Sequence, residues 1–244
     1  MASRGINVRV TSLMKKLLVL AVILANNCCW NESHIAAQSG DSATHIPASS
    51  FNLLDSPQAA VQEGDLLFLA PMQSNAITAV TGHYDHVAIM HRIGGENGFL
   101  YALEAIGRGV TLTPIDSLIC REQGKSALVP ARVDGLDATA SVRRALRYVG
   151  RPYDWLYQPT DSAIYCSELV QLSYVNSRGQ AVFGTIPMSF HDASGQISPF
   201  WMEHYARYGL PVPEGAPGTN PTQLANDSHV TLLPTIALST KDTH

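Results

Sequence analysis

Apolar residues come in short runs along the middle of this chain, and turn-forming residues separate the runs. An apolar run of four to eight residues bounded by Gly, Asn or Asp is typical of a β-strand. The strand candidates occupy residues 63–69, 86–91, 99–106, 107–112 and 127–133. Helical periodicity appears in residues 138–150 and again in the segment that begins at Cys166. The pattern therefore predicts a sheet accompanied by helices.

The helix that begins at Cys166 is the segment with the most informative chemistry. After Cys166, apolar and small residues recur at helical spacing, namely Leu169, Val170, Ser173 and Tyr174. A helix N-terminus carries a partial positive charge and unpaired N–H groups, so it stabilises both a thiolate and a developing oxyanion. Cys166 is therefore a candidate nucleophile. The alternative is that it is a small buried hydrophobic residue.

A glycine-rich turn at residues 94–98 joins two of the strand candidates and predicts an antiparallel hairpin. With the loop centred between residues 95 and 96, His86 lies opposite residue 104 or 105. Opposed residues have Cβ atoms about 4.5–5.5 Å apart, so the Glu104 carboxylate could reach the His86 imidazole. A carboxylate on one ring nitrogen raises the basicity of the other, as a general base requires. The alternative is a structural hydrogen bond within the sheet.

The first part of the chain has the pattern of an export signal rather than of a folded domain. Two lysines precede the apolar run at residues 17–25, which is too short to cross a bilayer. Residues 1–30 are therefore predicted to be a leader that starts at Met1 or Met14. Cys28 is a candidate for lipidation and membrane attachment. We expect an exported protein, either periplasmic or a membrane-anchored lipoprotein.

The rest of the chain divides by composition into a linker, one domain and a tail. Residues 31–60 are rich in small polar residues without a period, and prolines and glycines interrupt residues 210–218. The predicted domain therefore spans residues 61–215, and residues 216–244 form a tail in which residues 230–233 dock as one strand. A chain of 244 residues with 45% hydrophobic content can bury one good core. The net charge of −4 includes no basic stripe, so nucleic acid is not an expected partner.

Cysteine and histidine usage favours a thiol site over a metal site. Without the leader, the chain keeps Cys120 and Cys166, too few for a disulfide framework. Cys120 lies in a polar stretch without a helix start and is predicted to be structural. His83, His86 and Glu104 are an alternative zinc-ligand set, but their spacing matches no helical ligand motif and HExxH is absent from the sequence. We therefore predict neither a metal nor a cofactor.

The order of these motifs resembles a known enzyme family. Residues 148–155 (YVGRPYDW) and 165–170 (YCSELV) are similar to the nucleophile region of NlpC-type cysteine hydrolases. There, a G-x-P-Y segment precedes a D-C-S-G-L helix start. In that family the cysteine precedes the histidine, whereas here the histidine and carboxylate strands come before the cysteine helix. This order resembles the circularly permuted YiiX/YebB-like branch, which also favours YCSELV. The resemblance covers residues 64–215.

The resemblance implies an α+β, permuted papain-like fold in which the nucleophile helix packs against an antiparallel sheet. It also implies a mechanism: Cys166 attacks a carbonyl, His86 takes and returns the proton, and Glu104 orients His86. Water then releases the acyl group from the thioester. Tyr153 is implied to help bind the oxyanion. Further aromatic residues complete the candidate substrate-binding set: Tyr165, Phe190 and Trp201.

Three functions are compatible with these residues. The first is a cell-envelope cysteine hydrolase that cleaves an amide or peptide bond in a small peptide or a peptidoglycan-derived substrate, which could also be acylated. The second is a lipid-directed thiol acyltransferase or esterase, since relatives of this fold process acyl chains and residues 190–201 are rich in apolar side chains. The third is a binding protein that keeps the site without turnover.

Overall fold

The computed structural model describes residues 61–95, 98–160, 162–236 and 238, which form short strands and helices in alternation. The strands are β1 (Leu66–Pro71), β2 (His86–Ile93), β3 (Phe99–Ile106), β4 (Gly109–Pro114), β5 (Ser126–Val133), β6 (Ile186–Pro187), β7 (Pro217–Gly218) and β8 (Val230–Leu232). The helices are α1 (Thr78–Thr81), α2 (Ile115–Glu122), α3 (Ala138–Ala145), α4 (Cys166–Ser173), α5 (Pro199–Ala206) and α6 (Pro221–Ala225). The five predicted strands and the helix at Cys166 are all present.

Six of the strands form one sheet in the order β4-β3-β2-β1-β5-β8, and β6 pairs with β7 in a separate ribbon. All of these pairings are antiparallel. Neighbouring strands along the chain from β2 to β4 also pair with one another, because the turns between them are short. The fold is therefore α+β with an antiparallel sheet, as predicted.

The sheet has a buried core on each face, because successive side chains along a strand point to opposite sides. One face carries Leu66, Phe68 and Ile89 and packs against α3 and α4. The other face carries Leu67 and Met90 and packs against α2. The sheet is thus the middle layer, with the nucleophile helix on one side and α2 on the other.

The predicted hairpin forms, but its register differs from the prediction. Ile89 pairs with Leu103 and Ile93 with Phe99. Continuing that register would place His86 opposite Ile106 rather than opposite residue 104 or 105. Because residues two apart on a strand share a face, His86 and Glu104 still point to the same side as diagonal neighbours.

Two predicted boundaries need correction. The helix expected over residues 138–150 ends at Ala145 and continues as a 3₁₀ turn at Leu146–Tyr148. Beyond the predicted domain end at residue 215, α6 buries Leu224 in the core and β8 pairs with β5. The folded unit therefore includes much of the segment assigned to a tail, and the strand expected there is confirmed.

Several predictions concern residues outside the described ranges. They are the leader at residues 1–30, lipidation of Cys28 and the linker at residues 31–60. In the described part of the chain, no helix has both the length and the apolar character needed to cross a membrane.

Candidate active site

Cys166 is the first residue of α4, and Tyr165 is its N-cap in an extended conformation. The Tyr165 N–H donates to Glu168 Oε2 at 3.4 Å, and Glu168 places an acidic side chain in the first turn, where the helix dipole favours it. Cys166 is a buried free thiol. Its own N–H is one of those that a helix start leaves without an intrahelical acceptor.

His86 begins β2 and connects the thiol to a carboxylate. Its Nε2–H donates to Glu104 Oε2 at 2.8 Å, which leaves Nδ1 for the hydrogen bond with Cys166. Burial lowers the pKa of His86, but hydrogen bonds with Cys166 and Glu104 and the negative charges of both outweigh burial. Together they raise the His86 pKa to about 10. The imidazole is therefore held in its protonated, doubly donating form.

Glu104 lies on β3 with its side chain fully buried, and two cationic groups contact it. Besides His86, the Arg121 guanidinium on α2 donates to Glu104 Oε1 at 2.8 Å and to Oε2 at 3.0 Å. Burial raises the pKa of Glu104, but hydrogen bonds with His86 and Arg121 and their charges outweigh burial. The pKa of Glu104 therefore lies well below its usual range. The carboxylate stays ionised and fixes the ring of His86.

His86 joins residues from the two layers that flank the sheet. Cys166 packs with the core cluster on one face, whereas Glu104 alternates with Leu103 and Ala105 of that cluster and so points to the other face. Because His86 is the first residue of β2, its ring lies at the end of the strand. From there it can contact the thiol on one side and the carboxylate on the other.

A pocket opens at Cys166, which is one of its lining residues. All four of the predicted substrate-binding residues line it: Tyr153, Tyr165, Phe190 and Trp201. Phe190 and Trp201 lie 5.3 Å apart between ring centroids and form a third apolar cluster with Tyr205. The structure thus brings these distant aromatic residues together with the thiol, and the lining is mainly aromatic and aliphatic.

Tyrosine hydroxyls cluster beside the thiol. Tyr153 and Tyr157 share a side-chain hydrogen bond, and burial raises the pKa of both. Burial also raises the pKa of Tyr165 to about 12, and its hydroxyl accepts a hydrogen bond from the Thr219 N–H at 3.0 Å. These phenols are therefore neutral near neutral pH, so each retains an O–H donor.

The competing histidines, His83 and His91, have other contacts. His91 Nδ1 contacts Glu63 Oε1 at 2.9 Å, and His83 is exposed, with its ring packed edge-on against Tyr84. Among the described residues, no three His, Cys, Asp or Glu side chains are grouped as a metal site would require. Of the set His83, His86 and Glu104, the Glu104 carboxylate accepts hydrogen bonds from His86 and Arg121.

Sequence reasoning missed several residues of the site. The sequence around Arg121 was interpreted as a polar stretch. However, Ile115, Leu118 and Ile119 have the spacing of an amphipathic helix, and this signal would have placed Arg121 on α2. The same helix contains Cys120, which is therefore not in an irregular segment. Tyr157 also lines the pocket, and its φ of 51° is in the left-handed region that few non-glycine residues adopt.

Comparison with known proteins finds a family and two relatives that are similar to this chain. Residues 60–234 match the sequence model of the permuted papain-like amidase family, YaeF/YiiX, C92. The uncharacterized protein YiiX of Escherichia coli strain K12 is 32% identical over 162 residues, which cover 63% of this chain and 77% of that protein. A crystal structure described as the metalloprotein YiiX of Escherichia coli O157:H7 is 26% identical with a TM-score of 0.60, and the match covers 72% of this chain and 98% of that one.

The family match extends over most of the chain and contains the cysteine, histidine and glutamate described above. It also agrees with the helices and the antiparallel sheet of the structure. This chain therefore belongs to the permuted papain-like amidases of the YaeF/YiiX family and is a hydrolase of the cysteine peptidase or amidase type.

Proposed function

We propose that this enzyme hydrolyses an amide or peptide bond through Cys166, His86 and Glu104. The supporting observation is the continuous chain of contacts from Cys166 through His86 to Glu104, with the thiol facing a pocket. Cys166 Sγ attacks the carbonyl carbon as a thiolate, because its proton is already held by the protonated His86. His86 then returns that proton to the leaving amine as the C–N bond breaks.

The second half of the reaction releases the acyl group. Water attacks the thioester carbon and gives a proton to His86, the C–S bond breaks, and the proton returns to Cys166. Glu104 holds the imidazole in one orientation throughout, because its carboxylate accepts the Nε2–H. The Cys166 N–H is a donor for the oxyanion in both steps, and the nearby Tyr153 hydroxyl supports a role for that residue as a second donor.

The test is turnover of a fluorogenic aminoacyl amide of 7-amino-4-methylcoumarin by matched variants. Cys166→Ala should abolish turnover, and Glu104→Gln should lower kcat by about 100-fold because the imidazole loses its orienting charge. Glu203→Gln is the control, since Glu203 is an exposed carboxylate whose ion-pair partner among the described residues is Arg207, four residues further along the chain. Equal activity of Glu104→Gln and Glu203→Gln would exclude the role given to Glu104.

A second candidate is a thiol acyltransferase or esterase that acts on acylated substrates. It is favoured by the apolar pocket wall, which includes Ile77, Val80, Met188, Phe190 and Trp201. The two reactions share the thioester and differ in the bond cleaved and in the acceptor. Incubation with envelope extracts separates them, because the amidase releases free amines whereas the esterase releases fatty acids.

We further propose that the enzyme acts in the cell envelope, on a small peptide or a peptidoglycan-derived substrate. The support is the sequence pattern of residues 15–28, in which lysines, an apolar run and a cysteine follow one another. Fractionation of cells that produce the full chain tests this proposal. We expect the protein in the periplasmic or membrane fraction, with a lipid mass on Cys28 if it is anchored. Recovery in the cytosol with an intact N-terminus would contradict it.

A further inference from the structure

The described lining of the pocket beside Cys166 includes one negative side chain and no lysine or arginine. Among the described residues that line it, Asp85 is the charged side chain, and neither lysine nor arginine is present. Most of the remaining wall is aromatic or aliphatic, including Tyr157 and Trp201. Aromatic ring faces attract cations, so both features favour a ligand with a positive group and an apolar body.

Asp85 is held in place at the pocket wall. Asn75 Nδ2 donates to Asp85 Oδ2 at 2.5 Å, and Asn75 Oδ1 accepts from the N–H groups of Ile77 and Thr78 at the start of α1. Burial raises the pKa of Asp85, Glu122 also raises it, and Asn75 and the charge of His86 lower it. A partly desolvated carboxylate of this kind gains from a cationic ligand.

Ser167 supplies a second polar group at the same wall. It follows Cys166 in α4, is 1% exposed and lines the pocket. Over the described ranges, its Oγ is the buried side-chain oxygen that has no hydrogen-bond partner. A buried unpaired hydroxyl destabilises a protein, so its presence next to the nucleophile indicates that a ligand completes its bonding.

We propose that the substrate is an amide that carries a primary ammonium group and an apolar body. Asp85 and Ser167 Oγ accept hydrogen bonds from the ammonium group, and the aromatic wall holds the apolar body. This assignment rests on the proposed amidase function and narrows its substrate class. It disfavours peptides with several free carboxylates, because they would bring negative charge to Asp85.

Binding of three phenylalkyl ligands with different polar end groups tests the proposal without requiring turnover. The ligands are 4-phenylbutylamine, 4-phenylbutanol and 4-phenylbutyrate, titrated calorimetrically into the full wild-type chain. We expect the amine to bind at least about tenfold more tightly than the alcohol, and the carboxylate to bind most weakly. Equal affinity of the amine and the alcohol, or tighter binding of the carboxylate, would overturn the proposal.

Variants then show which residues recognise the ammonium group. Asp85→Asn should make the amine and the alcohol bind equally, whereas Asp116→Asn, at an exposed carboxylate on α2, should keep the tenfold ratio. Ser167→Ala should weaken the amine severalfold and leave the unfolding temperature of the unliganded protein unchanged or higher, because an unpaired hydroxyl is removed. A preserved ratio in Asp85→Asn, or unchanged amine affinity in Ser167→Ala, would contradict the roles assigned.

The two proposals fail in distinguishable ways. If amide turnover is absent while the amine still binds selectively, the amidase function is wrong and the ammonium site stands. If coumarin amides are cleaved but ligand charge has no effect on affinity, the function stands and the ammonium site is wrong.

Discussion

At the scale of single residues, His86 is the group that determines the protonation state of the site. Its ring contacts Cys166 and Glu104, and its side chain is 15% exposed. Because its pKa is raised to about 10, the folded protein keeps a proton on His86 over a pH range in which the unfolded chain releases it. This difference has a measurable consequence for stability.

The consequence of the raised His86 pKa is that the stability of the folded protein depends on pH. The stabilisation by protonated His86 is fully present below its ordinary pKa of about 6.5 and is lost progressively as pH rises towards about 10. We expect the free energy of unfolding of the wild type to fall over this interval and that of His86→Gln to fall less. Urea unfolding at several pH values measures it. Parallel curves for the two proteins would contradict the raised pKa.

Arg121 provides a second prediction at this scale. Arg121→Gln removes a cation from a fully buried carboxylate, and we expect it to destabilise the protein by about 2 kcal/mol, a value reduced for the partial exposure of Arg121. It should also lower kcat, because Glu104 then holds His86 less firmly. Arg121→Lys should recover part of both losses, since it restores the charge without the two-pronged geometry. Unchanged unfolding and kcat in Arg121→Gln would show that Arg121 has no such role.

Part of the residue-level site was predictable from the sequence. The contact between His86 and Glu104 follows from strand alternation within a hairpin, and the position of Cys166 follows from helix periodicity. Arg121 was not predictable in the same way, because its contact with Glu104 joins α2 to β3 through the packing of separate elements. Ser167 was also missed, since sequence alone does not show that its hydroxyl lacks a partner.

At the scale of elements, the turn between β3 and β4 holds the segment that leads to the nucleophile. The Val110 N–H donates to the Arg151 carbonyl oxygen, and the Gly150 N–H donates to the Val110 carbonyl oxygen, each at 2.9 Å. Gly109 has a φ of 105°, and a Cβ there would clash with the Arg151 carbonyl oxygen. The turn thereby positions residues 151–153, which end at Tyr153.

Gly109→Ala tests this arrangement. We expect a loss of about 3 kcal/mol in the free energy of unfolding, since both strain and a backbone clash oppose the added methyl group. Gly135→Ala is the matched control, because Gly135 has a φ of 74° with open space where the methyl group would lie, and it should lose about 1 kcal/mol. Urea unfolding compares them. Equal losses would show that the contact with Arg151 does not matter.

Strands were easier to predict than the ends of helices. Alternating or continuous apolar runs marked β1 to β5, because burial on both faces of the sheet requires apolar side chains. The end of α3 was misplaced, since the turn at Leu146–Tyr148 keeps nearly helical periodicity while its hydrogen bonding becomes 3₁₀. The hairpin register was also shifted, because loop composition does not fix how many residues the turn uses.

At the scale of the whole molecule, the C-terminal segment completes both the core and the pocket. Thr219 and Asn220 line the pocket, α6 buries Leu224, and β8 pairs with β5 at the edge of the sheet. A domain boundary was predicted at residue 215 because a proline- and glycine-rich stretch is typical of the end of a domain. Here that stretch connects parts of one folded unit.

Truncation after Gly215 tests the importance of this segment. We expect a loss of roughly 5 kcal/mol or more, because the buried side chains of α6 and the pairing of β8 are removed. This loss is comparable with the total stability of a typical domain, so the truncated chain should unfold at or below physiological temperature. Circular dichroism during heating measures it. An unchanged unfolding temperature would show that residues after 215 are dispensable for the fold.

The rate at which iodoacetamide alkylates Cys166 tests the pairing of the thiol with His86 most directly. Mass spectrometry of the peptide that contains Cys166 gives this rate separately for each variant. A thiol activated by a protonated imidazole should react at least about tenfold faster in the wild type than in His86→Gln near neutral pH. Equal rates in the two proteins would contradict a catalytic pair of Cys166 and His86.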